Sequence, residues 1–188
     1  MSRLSLCTLS LVSATALAAP AHADRAPHRD GTVVTFGIGG GHLGCSDANG
    51  DSCNGSGPVQ SATFVAEVGG MVGRNLALLA HLEYARHDKD NHAVSQTIGA
   101  AAVRAWVLPR LWLEGGIGVA RARAEYDNGV VGVIATSDTV PGVVAGLGVE
   151  VIRSRDFALD VNLRTGTGLY RDDVNLYQTS LGLAATFF

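Results

Sequence analysis

Beyond its first 23 residues, the sequence contains no apolar run of the roughly 18 residues that a membrane-spanning helix requires. It also lacks an excess of basic residues, because 14 lysines and arginines stand against 17 acidic residues and the formal net charge is −3. A nucleic-acid-binding protein usually has a strongly basic face. These two shortages exclude a helical membrane protein and argue against a nucleic-acid partner.

Apolar residues are nevertheless abundant, since they make up 47% of the chain and the mean hydropathy is +0.21 despite 24 glycines. They alternate with small or polar residues over short runs, and a period of two is the period of a β-strand with one apolar face. In a membrane barrel each strand turns one face to lipid and the other to a polar interior. Alternation therefore explains how the chain is apolar without a long apolar run.

The N-terminal residues have the composition of a secretory signal peptide that ends at residue 23. Arg3 provides the positive charge, residues 4–19 form the apolar run, and Ala21-His22-Ala23 is a small-residue cleavage site. Export is therefore predicted. Residues 24–30 then form a short periplasmic tail, and residues 31–188 form one barrel domain.

Eight alternating runs follow the tail, each of about the 11 to 14 residues that cross a bilayer at a tilt. The run from Ala93 to Val107 is the least regular, and its alanines make a helix the competing interpretation. The first run has glycine at almost every position of one face, which suits a tightly curved wall. The runs begin at Thr32, Gln60, Leu76, Ala93, Leu111, Gly142, Phe157 and, for the last, after the turn at 171–173.

The connections alternate in length. Three short turns lie at Arg74, at Pro109-Arg110 and at Ser154. The four others are longer or more polar: 45–57, 87–91, 126–139, where a short additional hairpin is suggested, and 171–173. In membrane barrels the short turns are periplasmic and the long loops face outward. We therefore expect an up-and-down barrel with the second set outside.

The last segment ends on two aromatic rings and resembles the C-terminal assembly signal of bacterial outer-membrane β-barrels. Its positions are filled here by Ser180, Gly182, Ala185 and Phe187, with Phe188 one residue beyond the usual end. With the eight runs, the chain resembles the bacterial outer-membrane β-barrel domain superfamily, which includes small OmpA/OmpX-like and OmpW-like barrels. The resemblance implies an all-β, eight-stranded antiparallel up-and-down transmembrane β-barrel in the cell outer membrane. It also implies contacts with the barrel assembly machinery, outer-membrane lipid and lipopolysaccharide.

Aromatic residues fall at the strand ends, as in the belts at membrane interfaces. The tyrosines lie at the predicted outer ends, and Trp106, Trp112, Phe157, Phe187 and Phe188 lie at the periplasmic ends. The alternation, however, turns Trp106 and Trp112 inward. We therefore expect either a β-bulge there or strand ends that lie beyond the membrane.

The predicted inward faces collect most of the charged residues. An eight-stranded barrel has a lumen that side chains just fill, so we expect a network in which Arg104 and Arg164 neutralise carboxylates, because buried charges need partners. The predicted interior set is Glu67, His81, Glu83, Arg104, Glu114, Glu150, Asp160, Asn162 and Arg164.

These features predict a non-enzymatic barrel with a plugged interior and a structural or surface-interaction role through its outer loops. The alternative is passage of small apolar solutes through a narrow or laterally open barrel, as suggested for OmpW-like proteins. A lipid hydrolase using His81 and Glu83 is disfavoured because no His-x-Ser sequence supplies a nucleophile. A secreted lipocalin-like barrel would require the two faces to be inverted. An extracellular partner cannot be named from sequence.

Cys45 and Cys53 lie in the first outer loop, and an oxidising compartment favours a disulfide between them over a redox or metal site. Between them, alternating oxygen ligands resemble part of a calcium loop, but the required glycine and glutamate are missing. No metal or cofactor is therefore expected. Arg121 and Arg123 lie near the outer end of the fifth strand, where they are expected either to contact lipopolysaccharide phosphates or to be solvated.

Overall fold

The computed structural model describes residue 29 and residues 31–46, 57–89, 92–127, 132–170 and 174–188. Within these ranges there is no helix long and apolar enough to cross a membrane. The described chain forms nine β-strands: β1 (Thr32–Ser46), β2 (Val59–Gly73), β3 (Leu76–Lys89), β4 (His92–Trp106), β5 (Leu111–Asp127), β6 (Gly132–Thr136), β7 (Val140–Arg153), β8 (Phe157–Leu169) and β9 (Asn175–Phe187).

Eight of the nine strands close into a barrel. Each pairs antiparallel with its neighbours in the chain, β4 pairs β5, β5 pairs β7, and β1 pairs β9 to complete the circle. The ninth, β6, is short, and within the described ranges it pairs with the end of β5 alone, from Arg123 to Asp127. The predicted eight-stranded up-and-down barrel is thus confirmed, and β6 corresponds to the additional hairpin suggested within 126–139.

The irregular run that begins at Ala93 forms strand β4 and not a helix. It pairs without interruption with β3 on one side and β5 on the other. These two ladders satisfy its backbone groups along its whole length, which outweighs the helix propensity of its alanines.

The barrel closes where β1 meets β9, and the glycines of β1 allow the two strands to approach closely. A Cβ atom at Gly41 would overlap the carbonyl oxygen of Thr179. At Gly39 it would lie 2.7 Å from the carbonyl oxygen of Leu181. The glycine face predicted for the first strand is therefore required by the closing seam.

The two faces of the wall differ in chemistry, and the polar face is the inner one. Glu67, Arg104, Asp160 and Arg164 are at most 2% exposed, whereas large apolar side chains cover the outside. Prominent outward residues include Phe36, Ile38, Phe64, Leu78, Leu113, Ile117, Leu163, Leu181 and Leu183. An apolar exterior around a polar interior is the arrangement of a membrane barrel, and the opposite of a secreted lipocalin-like barrel.

Both tryptophans lie inside the barrel, as the alternation predicted, and therefore do not belong to an interfacial belt. Trp106 and Trp112 are 3% and 1% exposed, and they occupy directly paired positions on β4 and β5. The β4–β5 register is continuous there, so no bulge turns them outward. Of the aromatic residues at this end, Phe157 and Phe187 pack side by side, with ring centroids 5.3 Å apart.

Candidate functional site

The barrel interior is built in layers, and β5 passes through three of them. From the end with the short turns, its inward residues run through Trp112, then Glu114, and later Ala120. Trp112 belongs to one apolar cluster, with Val33, Ala77, Leu79, Ala102 and Trp106, while Ala120 belongs to a second, with Ile98, Val140 and Val144. Glu114 lies in the charged layer between them.

Arg104 is the central cation of the charged layer. Its Nε and Nη2 atoms donate to Oε2 of Glu114, at 2.8 and 2.6 Å, and Nη2 also donates to Glu67. The same guanidinium lies 4.2 Å from the ring centroid of Trp112 and stacks on that ring. Arginine suits this position because its planar fork can bind two carboxylates and stack on an aromatic face at once.

Arg164 binds the same two carboxylates from the opposite wall. Its Nη1 atom is 2.7 Å from Oε1 of Glu67 and 3.2 Å from Oε1 of Glu114. The Nδ1 atom of His81 is 2.9 and 3.1 Å from those same oxygens. Glu67 and Glu114 are therefore each held by three cationic or ring-nitrogen partners, which provides the compensation that buried charges require.

The other predicted interior residues do not all join the ion pairs around Arg104 and Arg164. Glu83 lies 3.5 Å from Nε2 of His81, and its carboxylate has no hydrogen bond among the described residues. Asn162 donates to Asp160 at 2.9 Å. Glu150 lies apart from Arg104 and Arg164, in a separate cluster at the end of the barrel that carries the short turns.

That separate cluster fills the end of the barrel with the short turns, and sequence reasoning missed its central residue. Arg29, from the predicted polar tail, donates to both oxygens of Glu150 at 2.9 Å and lies 4.4 Å from the ring centroid of Trp106. Trp106 donates its indole N–H to Glu150 at 2.6 Å, and Phe188 packs against Trp106. The only signals in the sequence were the charged residues of the tail and, far from them in the chain, an inward-pointing tryptophan.

Toward the other end of the barrel, the described interior holds an apolar cluster. Tyr170, just past the end of β8, packs with Ala100 on the cluster of Ile98, Ala120, Val140 and Val144. Burial raises the pKa of the Tyr170 hydroxyl above its ordinary value. The charged layer is thus covered on both sides.

One group in the charged layer has the ligand types of a metal site. Donor atoms of Glu67, His81 and Glu114 all lie within 4.8 Å of one another. Two guanidiniums already bind both carboxylates, however, so the positions that a metal ion would take are occupied by arginine. The arrangement therefore suits a structural ion network better than a metal centre.

The first outer loop is only partly within the described residues. Cys45, at the end of β1, is disulfide-bonded. Cys53 lies outside the described residues, so its pairing with Cys45 stays a prediction. The calcium-like positions between them, residues 47–51, also lie outside the described ranges.

Arg121 and Arg123 point outward from β5 and line a groove on the outer wall, with a volume of about 610 Å³. Arg86 and Glu125 line the same groove, and Glu125 binds Arg86 at 3.4 Å and Arg123 at 2.8 Å. Sequence analysis did not include Arg86 because its position beside Arg123, across β4, depends on the register of two hairpins.

Comparison with solved structures gives small outer-membrane barrels. Ail, the attachment invasion locus protein of Yersinia pestis, is 14% identical with a TM-score of 0.60, over 82% of this chain and 98% of Ail. Neisserial surface protein A is 15% identical with a TM-score of 0.55, over 84% and 99%. The N-terminal beta-barrel domain of Pseudomonas aeruginosa OprF is 16% identical with a TM-score of 0.51, over 85% and 98%. At these identities the likeness shows the fold alone.

A comparison with curated proteins finds no significant match. The model of the family described as the outer membrane protein beta-barrel domain matches residues 7–187, nearly the whole chain. The match agrees with the closed antiparallel barrel, its apolar exterior and its polar interior. The chain therefore belongs to the family of outer membrane protein beta-barrel domains, and through it to the proteins of the outer membrane.

Proposed function

We propose that this chain is a plugged, non-conducting barrel that serves a structural or surface-interaction role through its outer loops and rim. The observation that carries the proposal is the filled lumen. Arg104 and Arg164 both donate to Glu114 across the interior, and each of the three residues is at most 7% exposed. A solute crossing the lumen would have to break this network, at several kcal/mol for each buried charge left without a partner.

The alternative, passage of small apolar solutes, finds less support in the described wall. Such a route requires either an open lumen or a lateral gap between strands. Strand pairing continues around all eight strands of the barrel, and apolar clusters cover the charged layer at both ends.

The surroundings of His81 support a non-enzymatic role. Its ring nitrogens face only carboxylates, namely those of Glu67, Glu114 and Glu83, and the side chain is 1% exposed. A histidine acting as a general base needs a nucleophile within hydrogen-bond reach and access to its substrate. Among the described residues His81 has neither.

The proposal is tested by solute leakage from liposomes. We expect vesicles that contain the purified protein to retain small sugars, amino acids and apolar solutes as well as protein-free vesicles do. The double variant Trp112→Ala/Arg104→Ala removes the stacked pair at the centre of the lumen and is expected to leak, which shows that the assay detects an opened barrel. Leu113→Ala, a lipid-facing substitution on the same strand, is the matched control. Leakage of any solute through the wild type would contradict the proposal that the barrel is plugged.

Surface interaction needs a separate measurement, with the folded barrel immobilised and the outer loops accessible. A structure of Ail has been determined with the heparin analogue sucrose octasulfate, which makes that compound a suitable first probe. We expect any bound ligand to be lost when outer loop residues are replaced, and to be kept when the periplasmic turn at 154–156 is changed. The opposite pattern would place the interaction at the wrong end of the barrel.

A further inference from the structure

Toward the end of the barrel with the long loops, the outer wall changes from apolar to cationic, within two residues on β5 and within four on β3. Strand pairing aligns the residues of β3, β4 and β5 into rows that run around the barrel. From the middle of the wall outward, the rows are Leu82, Gly99 and Val119, then Tyr84, Thr97 and Arg121, then Arg86, Ser95 and Arg123. Two steps along a strand correspond to roughly 7 Å.

The same rows form a trough. The middle strand, β4, contributes only Ser95, Thr97 and Gly99 to its floor, and a Cβ atom at Gly99 would meet open space. The flanking strands contribute large side chains, so the walls stand higher than the floor. The flanks are two strand spacings apart, roughly 10 Å, which accommodates a sugar ring or an extended acyl chain.

The cationic end of the trough is not fully neutralised. Glu125 is shared between Arg86 and Arg123, and Arg86 also binds Asp88 at 2.8 Å. Arg121 has no hydrogen-bond or ion-pair partner among the described residues. An exposed guanidinium without a partner, beside hydroxyl-bearing threonines, is well suited to bind a phosphate oxygen pair.

The position of the trough points to one occupant. Its apolar row lies at the level of the lipid-facing band, and its cationic row lies where that band ends toward the long loops. In an outer-membrane barrel this end faces the outer leaflet. We propose that the trough binds the phosphorylated sugar headgroup of lipopolysaccharide, with a phosphate on Arg121 and Arg123 and an acyl chain beside Gly99. The site lies on the outer wall and does not depend on whether the lumen is plugged.

The test is native mass spectrometry of the detergent-solubilised barrel with deep-rough lipopolysaccharide, its dephosphorylated form and phosphatidylglycerol. We expect one lipopolysaccharide molecule to be retained. Arg121→Ala should weaken retention by about tenfold, the equivalent of one charge-assisted hydrogen bond. Removing the lipid phosphates should weaken it by a similar factor.

Steric variants test the acyl-chain part of the trough. Gly99→Leu fills the floor and is expected to reduce retention severalfold. Gly115→Leu, also outward with open space around its Cβ but near the other end of β5, is its matched control. Arg155→Ala in the periplasmic turn, where the side chain is 93% exposed, is the control for charge. Both controls should bind lipopolysaccharide as the wild type does.

Several outcomes would overturn the proposal. Retention equal to that of the wild type in both Arg121→Ala and Gly99→Leu would show that the lipid binds elsewhere. A loss in the two controls as large as in these variants would show a non-specific annulus. Phosphatidylglycerol held as tightly, with the same dependence on Arg121, would make this a general phospholipid site. Heat-modifiability on a gel verifies that every variant is folded, so a loss of binding is distinguishable from a loss of the barrel.

Discussion

The ring of Phe188 packs against the ring of Trp106 inside the barrel end that carries the short turns, with centroids 5.9 Å apart. Phe187, one residue earlier, points the other way and is 47% exposed on the outer wall. Because successive side chains of a strand lie on opposite faces, the two terminal rings serve two environments. Phe188, one residue beyond the usual end of the assembly signal, therefore belongs to the same cluster as Arg29 and Glu150.

The two terminal aromatic residues are expected to differ when each is replaced by alanine. Phe188→Ala should lower the free energy of unfolding by about 1–2 kcal/mol, less than the 3–5 kcal/mol of a fully buried phenylalanine, and leave assembly intact. Phe187→Ala should instead reduce the amount of barrel in the outer-membrane fraction, because that residue fills the aromatic position of the proposed assembly signal. Urea unfolding and fractionation measure the two effects. Identical behaviour of the two variants would refute the division of roles.

Arg104→Met should destabilise the barrel by about 3–5 kcal/mol, because it leaves Glu67 and Glu114 with only Arg164 and His81 as partners. The measurement is the urea midpoint of the protein refolded into lipid vesicles. Adding Glu114→Gln should recover part of the loss, since one uncompensated carboxylate is then removed. Arg121→Met, at an exposed arginine without a described partner, is the control and should change stability by no more than about 0.5 kcal/mol.

At the closing seam, Gly41→Val should lower the yield of folded barrel and its stability by about 1–3 kcal/mol, because the new side chain overlaps the backbone of β9 at Thr179. Gly40→Val is the matched control: it lies next along the same strand, faces outward, and has open space around its Cβ. The shift between boiled and unboiled samples on a gel reports the folded fraction. If the two variants fold equally well, the seam does not require glycine at position 41.

The disulfide of Cys45 is predicted to join it to Cys53. Alkylation of the mature protein should add no mass before reduction and the mass of two alkyl groups after it. In Cys53→Ser, Cys45 should become alkylated without reduction. A Cys53→Ser protein in which Cys45 still resists alkylation would show that another cysteine is the partner.

Local geometry explains which parts of this molecule were predictable. Alternation along each run, as in Leu159, Val161 and Leu163, indicates a strand and assigns its faces, because the period of two belongs to the backbone itself. Turn-forming residues mark where each strand ends. The eight strands, their order and the two faces of each follow from these local features alone. Which face is the inner one followed from the terminal aromatic residues and the resemblance to outer-membrane barrels, because alternation is the same when the faces are inverted.

Partnerships across the lumen followed only from the tertiary structure. Arg29 and Glu150 are 121 residues apart in the chain, and their contact depends on the tilt and stagger with which the strands close. The closed barrel also explains why Trp112 points inward, because its ring stacks on the guanidinium of Arg104. The same closure places Arg86 and Arg123 on either side of β4. Sequence alone determined strands and faces, because these are properties of short segments. Only the closed barrel decided which side chains meet, because that depends on the register of all eight strands at once.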